Sequence, residues 1–247
     1  MDNGEKQDFI STVSHELRTP LTSIRGFAQT MLGSWDALDD ENKKKFIKII
    51  EQQSNRLINL VENMLSVNKL QSFKDKFVYK SASAKILIEP IIQIIQHQYP
   101  EHIFEFNFNE KIPNLLIDVD KFQQIMTNLI ENAAKYSNEG TKITVIVDFS
   151  SSPEFISIKV IDEGIGIKEE DFERIFAKFS RIDNPLTRKV QGSGLGLYIT
   201  KTLVNKMGGN IKIKSSDSGT EFEVLLPAEN LESQALKTLF KDGTVQE

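Results

Sequence analysis

The chain has 247 residues, of which 39% are hydrophobic and 26% charged, and its net charge is −5. This composition indicates an ordinary soluble protein of one large or two modest domains, and an acidic balance without a basic stripe argues against a nucleic-acid partner. The absence of cysteine excludes disulfides and thiolate metal sites. No apolar run reaches the ~20 residues that span a bilayer, and the start of the chain has no signal-peptide character. We therefore expect no membrane contact by the chain as given, and a cytoplasmic location.

Apolar residues recur at spacings of three and four between residues 9 and 31, which predicts an amphipathic first helix. This apolar stripe consists of Phe9, Val13, Leu17, Leu21, Ile24, Ala28 and Met31. His15 lies off the stripe, and Thr19 at i+4 stands beside it. Pro20 has no N–H for the carbonyl of Glu16, so we expect the helix to bend or loosen there. Without further context, a solvent-facing histidine on such a helix is most simply a surface polar residue.

The first helix is expected to end near Gly33, and after a short connection Asp39 or Asp40 can cap a second helix that runs to about Leu70. This second helix carries a broad apolar stripe formed by Phe46, Ile49, Ile50, Leu57, Leu60, Val61, Met64, Leu65 and Val67. Two helices joined by a short loop form an antiparallel hairpin, which cannot bury both stripes alone. We therefore predict that two chains pair their hairpins in a dimeric four-helix bundle with His15 outside. The alternative is that the stripes pack only on the rest of the same chain.

A break into serine, lysine and aspartate separates this hairpin from a second domain of different character. We predict a first domain at 1–72, a linker at 73–76, a second domain at 77–228 and a C-terminal tail at 229–247. Strands are predicted at 77–79, 103–108, 141–149, 155–161, 211–214 and 220–226, and helices at 84–98, 121–137 and 192–207. His97 and His102 have no partners at metal-binding spacing and are interpreted as structural.

The predicted helix over 121–137 has a polar face. Asn128, Glu131, Asn132 and Lys135 fall at i, i+3, i+4 and i+7 and share this face. Oxygen ligands beside a lysine suit a hydrated Mg²⁺ that is bound together with phosphates. The alternative is a solvated helix face with a Glu131–Lys135 ion pair, and the spacing by itself favours that alternative.

Two glycine-containing segments follow. D-E-G-I-G-I at 162–167 closes a strand, where glycines let the backbone approach a flat ligand and a carboxylate can accept from an exocyclic amine such as that of adenine. Any tight turn has the same pattern. G-S-G-L-G-L at 192–197 opens a helix and can present N–H groups to phosphate. The segment 168–191 between them is long and charged, which is typical of a mobile lid.

Five motifs, in this order, resemble those of two-component sensor histidine kinases. S-H-E-L-R-T-P at 14–20 is similar to their phosphoacceptor motif. The other four motifs resemble those of the ATP-binding domain that these kinases share with DNA gyrase, mismatch-repair ATPases and a heat-shock chaperone. They are N-L-I-E-N-A-A-K-Y at 128–136, D-E-G-I-G-I at 162–167, E-R-I-F-A-K-F at 173–179 and G-S-G-L-G-L at 192–197. The resemblance spans roughly residues 9–227. It implies a helical hairpin that forms a dimeric four-helix bundle, followed by an α/β sandwich with helices on one face of a mixed sheet.

The resemblance also implies an activity. His15 would be phosphorylated from ATP, with Glu16 accepting from one ring nitrogen so that the other attacks, and the phosphoryl group would pass to an aspartate of a response regulator. Thr19 is similar to the residue that positions water for dephosphorylating the regulator. Mg²⁺ would be held by Asn132, with support from Asn128 and Glu131.

The nucleotide would contact a further set of residues. Lys135 would contact the phosphates, Tyr136 would border the nucleotide, and Asp162 would bind the adenine amine in a pocket shaped by Gly164 and Gly166. The resemblance assigns the lid and phosphate end of the site to Arg181, Gly192, Gly194, Gly196 and Leu197.

Two other classes of function are compatible with parts of the sequence. One is a non-catalytic dimeric signalling scaffold, against which the intact His15, Asn132 and Asp162 argue. The other is a non-kinase ATPase of the same fold, against which the histidine helix argues. The expected partners are a second copy of the chain and the receiver domain of a response regulator. The chain carries no recognisable sensor, which suits the cytoplasmic catalytic end of a longer protein, membrane-bound or not.

Overall fold

The computed structural model describes residues 3–71, 76–180, 182 and 192–229, with the backbone alone for residues 3–10 and 71. The helices are α1 (Asn3–Ser34), α2 (Asp40–Gln71), α3 (Ala84–Gln98), α4 (Val119–Tyr136) and α5 (Gly196–Lys206). The strands are β1 (Tyr79–Ala82), β2 (Ile103–Phe108), β3 (Leu115–Asp118), β4 (Lys142–Phe149), β5 (Phe155–Asp162), β6 (Asn210–Ser216) and β7 (Gly219–Pro227). The predicted tail lies outside the described residues apart from its first residue.

Helices α1 and α2 form the predicted hairpin. Asp39 caps α2, because its Oδ1 accepts from the backbone N–H of Asn42 at 2.7 Å. The rings of Phe27 and Phe46 pack 5.2 Å apart between the two helices. Pro20 is buried inside α1, which continues through it, so the missing N–H removes one hydrogen bond without ending the helix. Within the described ranges, no helix combines the length and apolarity that crossing a lipid bilayer requires.

The apolar stripe of α2 divides between two environments. Leu60, Val67 and Leu70 are buried in one hydrophobic core with residues of the second domain, and α2 packs against α5. Val61 and Leu65 remain exposed on the same helix. Part of the stripe therefore packs on the rest of the same chain, while another part is free to meet a second chain.

The second domain is the predicted α/β sandwich. Its five-stranded mixed sheet has the order β2-β4-β5-β7-β6, in which only β2 and β4 are parallel neighbours. Side chains alternate between the two faces, and Ile143, Val145 and Val147 of β4 are buried on the face that packs against α4. The opposite face is polar, with Lys159 of β5 lying 3.4 Å from Glu221 of β7.

A small antiparallel sheet of β1 and β3 lies beside this sandwich. The strand predicted from Phe77 begins two residues later, because the N–H of Val78 donates to the carboxylate of Asp118 at 2.8 Å instead of to a neighbouring strand. Strand β3 has only four residues and therefore no periodic signal, and it is absent from the sequence prediction. Asp118 also accepts from the N–H of Lys121 at 3.2 Å, which starts α4 two residues earlier than predicted.

Candidate functional site

His15 is exposed on α1 together with Thr19. The hydroxyl of Thr19 donates to the backbone carbonyl of His15 at 3.3 Å. A threonine in a helix commonly forms this hydrogen bond with the carbonyl four residues earlier. The imidazole of His15 makes no hydrogen bond to any described residue. The structure therefore brings these two predicted site residues together and leaves both open to solvent.

Glu16 points in a different direction, because one residue along a helix is a rotation of about 100°. Its Oε2 lies 3.3 Å from Nη2 of Arg56 on α2. The two side chains are 23% and 22% exposed, so the pair is only partly screened by water. The carboxylate next to the histidine is thus held by Arg56 rather than by the imidazole.

A pocket of about 100 Å³ opens at the end of β5. Asp162 lies in it, and Asn132, Tyr136, Gly166 and Leu197 contribute to its wall. Much of the remaining wall is apolar and is formed by Ala133, Ile165, Ile167, Ile175, Ile182 and Phe222. A small apolar pocket with one carboxylate suits a flat, amine-bearing base.

The described residues form hydrogen bonds with only one of the two carboxylate oxygens of Asp162. Its Oδ1 accepts from the N–H groups of Gly164 at 2.9 Å and Thr220 at 3.2 Å. Its Oδ2 has no hydrogen-bond partner among the described residues. Burial raises the pKa of Asp162 to about 6, and the two backbone hydrogen bonds counteract this only in part. The free oxygen is available to a ligand donor.

Gly164 and Gly166 are both required by close backbone packing around this pocket. A Cβ on Gly164 would collide with the backbone carbonyl of Tyr136 at the end of α4. Gly166 has a φ of +67°, and a Cβ there would collide with the carbonyl of Ser216 on β6. The loop after β5 is therefore held between α4 and β6.

The polar face of α4 lies at the mouth of the pocket, and its four members are engaged differently. Lys135 Nζ lies 2.8 Å from Glu131 Oε1, so the ion pair that the spacing favours is present. Asn128 Nδ2 donates to the hydroxyl of Thr200 on α5 at 2.9 Å. Asn132 makes no side-chain hydrogen bond to any described residue. Only Asn132 is left with both of its amide groups unused.

The glycine-rich segment lies against this face, and Gly192, Gly194, Gly196 and Leu197 all line the same cleft. Helix α5 begins at Gly196 rather than at Gly192, because the φ of +66° at Gly194 is incompatible with a right-handed helix. A Cβ on Gly196 would collide with the amide of Asn128. The start of α5 therefore rests directly on α4.

This cleft measures about 1020 Å³ and lies between the second domain and the hairpin. It shares Asn132 and Ser180 with the small pocket and is lined on the hairpin side by Glu16 and Arg56. Space for an extended ligand thus reaches from the apolar pocket to the residue that follows His15. His15 itself is not among the residues that line these two cavities.

Arg181, a further predicted site residue, lies outside the described residues. Arg56, Ser180 and Thr220 belong to the site, but the sequence motifs do not indicate them. Ser180 directly follows the motif at 173–179, which is the only signal for it, and the pairing of Arg56 with a residue 40 positions away has no spacing signal at all.

Two domain families match the chain. Residues 5–73 match the His Kinase A (phospho-acceptor) domain. Residues 117–230 match the Histidine kinase-, DNA gyrase B-, and HSP90-like ATPase. The exposed histidine lies in the first match, and the small pocket with its carboxylate lies in the second.

Individual proteins with both regions are similar to the chain. It is 35% identical to the sensor histidine kinase WalK of Bacillus subtilis over 90% of this chain and 37% of that protein. It is 33% identical to the sensor protein SrrB of Staphylococcus aureus over 90% of this chain and 38% of that protein. The solved structure of histidine kinase ThkA in complex with response regulator protein TrrA is similar with a TM-score of 0.71 and 25% identity, over 90% of this chain and 61% of that chain. The chain therefore spans less than half the length of these two curated relatives.

Proposed function

The chain combines a His Kinase A domain with the matching ATPase domain and belongs to the two-component sensor histidine kinases, and from this premise we propose that it phosphorylates His15 from ATP and transfers the phosphoryl group to an aspartate of a response regulator. Phosphatase activity on the regulator, dependent on Thr19, is part of the proposal. The observation that carries it is the cleft that joins the pocket of Asp162 to Glu16, the neighbour of His15.

The nucleotide occupies the small pocket and the cleft in this proposal. The free Oδ2 of Asp162 accepts a hydrogen bond from the amine of adenine, and Gly164 and Gly166 keep the pocket narrow enough for a flat ring. Lys135 leaves Glu131 to contact the phosphates, and Tyr136 borders the nucleotide.

The lid end of the site serves the phosphates in the same proposal. Gly192, Gly194 and Gly196 line the cleft and anchor the lid, and Leu197 borders both cavities. We also assign Arg181 a contact with the γ-phosphate, as the resemblance to the histidine kinases implies.

The polar residues of α4 that line the cleft fit Mg²⁺. Asn132 offers an amide oxygen without a partner among the described residues, and Asn128 and Glu131 lie on the same helical face in support. Within the described ranges there is no cluster of three His, Cys, Asp or Glu residues, and Mg²⁺ needs none, because it takes few protein ligands and keeps several waters. When bound, Mg²⁺ neutralises charge on the phosphate oxygens.

The chemical step is a phosphoryl transfer to an imidazole nitrogen. The lone pair of one ring nitrogen of His15 forms a bond to the γ-phosphorus, the bond to the leaving oxygen breaks, and ADP departs with that electron pair. Glu16 accepts the proton of the other ring nitrogen. For this the carboxylate must turn from Arg56 toward the ring.

Transfer to a regulator needs an accessible phosphohistidine. His15 and Thr19 are both exposed, so a receiver domain can reach them without moving the hairpin. The complex of ThkA with the regulator TrrA supports this type of partner.

A homodimer is also proposed. Leu32, Ile58 and Leu65 of the hairpin are 84%, 53% and 54% exposed. Ile58 and Leu65 lie seven residues apart and so share a face of α2. Large apolar side chains in a row on one helix favour burial against a second hairpin.

The experiment that tests the function uses the purified chain with Mg²⁺ and γ-labelled ATP. We expect a protein-bound label that acid removes and alkali preserves, as for a phosphohistidine. His15→Gln should abolish the label and retain ATP binding. A label that persists in His15→Gln would refute the assignment of the phosphoacceptor, and ATP binding without any label would favour a signalling scaffold.

A further inference from the structure

The hydroxyl of Ser180 is buried and has no hydrogen-bond partner among the described residues. A buried polar group without a partner is costly, and such groups are rare in folded proteins. Two other side chains contain such an atom, Ser137 and Glu221, but Glu221 lies 3.4 Å from Lys159 and 3.6 Å from Lys214 on the open face of the sheet. No described residue compensates the hydroxyl of Ser180 in a comparable way.

Ser180 lines both the small pocket and the cleft. Asn132 and Tyr136 are the other polar residues that the two cavities share. Asp162 lies in the small pocket only, and Lys135 lines the cleft only. If the base lies beside Asp162 and the outer phosphates lie beside Lys135, Ser180 borders the part of the nucleotide in between, which is the ribose and the α-phosphate.

The backbone around Ser180 is held in an unusual conformation. Phe179 has a φ of +59°, which is rare and unfavourable for a bulky residue. Gly194 packs so closely on it that a Cβ would lie 2.7 Å from the carbonyl carbon of Phe179 and 2.9 Å from the carbonyl oxygen of Ser180. The close approach of Gly194 therefore restrains the backbone at Ser180, where the two cavities meet.

We propose that Ser180 is a nucleotide-positioning residue whose hydroxyl donates a hydrogen bond to an oxygen of the ribose or of the α-phosphate. This inference rests on the proposed function, because it needs ATP in these cavities. It explains why a buried donor is left unpaired: the partner arrives with the nucleotide.

The experiment measures Mg-ATP affinity by calorimetry and the melting temperature of the ligand-free chain for Ser180→Ala, Ser180→Cys and a matched control, Ser157→Ala. The hydroxyl of Ser157 is also buried, but it donates to Glu223 at 2.7 Å on the other face of the sheet. We expect both Ser180 variants to bind ATP about fivefold more weakly, the equivalent of one ordinary hydrogen bond, with an unchanged or higher melting temperature. Ser157→Ala should show the reverse, a lower melting temperature with unchanged affinity.

Deoxynucleotides identify the acceptor. If the acceptor is a ribose hydroxyl, the nucleotide that lacks this hydroxyl, 2′-deoxy-ATP or 3′-deoxy-ATP, will bind wild type and Ser180→Ala equally well. If it is the α-phosphate, both deoxynucleotides will lose the same factor as ATP. Either pattern supports the proposal.

Two outcomes would overturn it, and they can be distinguished. Wild-type affinity of Ser180→Ala and Ser180→Cys for all three nucleotides would overturn the role of Ser180 alone. Failure of the wild-type chain to bind Mg-ATP would overturn the proposed function, and this inference with it. Should Ser180→Ala not fold, Ser180→Cys decides the matter, because sulfur fills the space but is a weak donor.

Discussion

The carboxylate of Glu16 lies 3.3 Å from the guanidinium of Arg56, and this ion pair ties the residue after His15 to helix α2. The pair forms part of the wall of the cleft that leads to the pocket of Asp162. Glu16 is therefore both an anchor between the two helices and the carboxylate nearest in sequence to the proposed phosphoacceptor. These two roles can be separated experimentally.

Glu16→Gln should lower the rate of His15 phosphorylation by about a hundredfold, because an amide cannot accept the ring proton. ATP affinity should not change. Arg56→Met removes the ion pair but keeps the carboxylate, so it should cost at most about 1 kcal/mol of stability and retain phosphorylation. An equally large loss of phosphorylation in Arg56→Met would mean that Glu16 acts through the ion pair and not as a proton acceptor.

Asp162→Asn should stabilise the ligand-free chain and weaken ATP binding. The pKa of Asp162 is raised by burial to about 6, so the folded state binds the proton more tightly than the unfolded state does. The free energy of unfolding therefore falls as pH rises from about 4 to about 6 and stays lower above that range. At pH 7 the variant should be more stable than wild type, on the order of 1–3 kcal/mol, as denaturant titration would reveal.

The raised pKa of Asp162 also leads us to expect a pH dependence of ATP binding. Below about pH 6 its free oxygen carries a proton and meets the adenine amine as donor against donor. The ratio of wild-type to Asp162→Asn affinity should therefore fall as pH decreases from 7.5 to 5.5 (roughly the range in which the group titrates). Protonation of the ATP phosphates affects both proteins and cancels in the ratio. A ratio that does not vary with pH would argue against a hydrogen bond from adenine to Asp162.

Lys135→Met should weaken ATP binding about tenfold and AMP binding much less, because in the proposed complex the ammonium contacts the outer phosphates. In the structure Lys135 is paired with Glu131 at 2.8 Å. Lys142→Met is the matched control, since Lys142 pairs with Glu105 at 3.4 Å and lines neither cavity. Equal losses for ATP and AMP would place Lys135 away from the outer phosphates.

Thr19→Ala should retain autophosphorylation and lose about tenfold or more of the phosphatase activity toward a phosphorylated regulator, because a water would no longer be positioned beside His15. Among the described residues, the hydroxyl of Thr19 bonds only to a backbone carbonyl of its own helix, and alanine is the better helix former, so the fold should be unaffected. Thr19→Ser, which keeps the hydroxyl, should retain the phosphatase activity. Full activity in Thr19→Ala would exclude the role.

Ile58→Glu should convert a dimer into a monomer in light scattering, because it places a charge in the proposed contact between hairpins. Ile86→Glu is the control: Ile86 is 71% exposed on α3, outside the hairpin. If Ile86→Glu dissociates the dimer and Ile58→Glu does not, the contact lies on the second domain.

Most elements of the fold follow from periodicity in the sequence. The helix at Ala84–Gln98 and the strand at Ile103–Phe108 have the predicted bounds, because each has one exposed face and one face that is buried or half-buried along its length. Strand β3 and the start of β1 do not follow from periodicity. Asp118 sets the start of β1 by accepting from the N–H of Val78, which is distant in sequence, and sets the end of β3 by accepting from the N–H of Lys121 beyond the strand. The four residues of β3 are too few to show a periodic pattern from which the strand could be predicted.

The candidate site, too, is only partly predictable from the sequence. The motifs identify Asp162, Asn132 and Lys135, and the structure brings all three to connected cavities. They do not reveal that Lys135 is paired with Glu131 or that Asn128 is bonded to Thr200. Those pairings depend on which side chains meet after the helices pack.

The sequence by itself determined the order of the two matched domain families and predicted which histidine is the phosphoacceptor, because these inferences depend on residue types at fixed short spacings. Only the tertiary structure decided that Glu16 faces Arg56, that Oδ2 of Asp162 has no partner among the described residues, and that Ser180, whose hydroxyl is likewise unpaired there, lines both cavities. Each of these facts depends on contacts between residues far apart in the chain. Short-range periodicity carries no information about such contacts, because it fixes the face of an element and not the element that it meets.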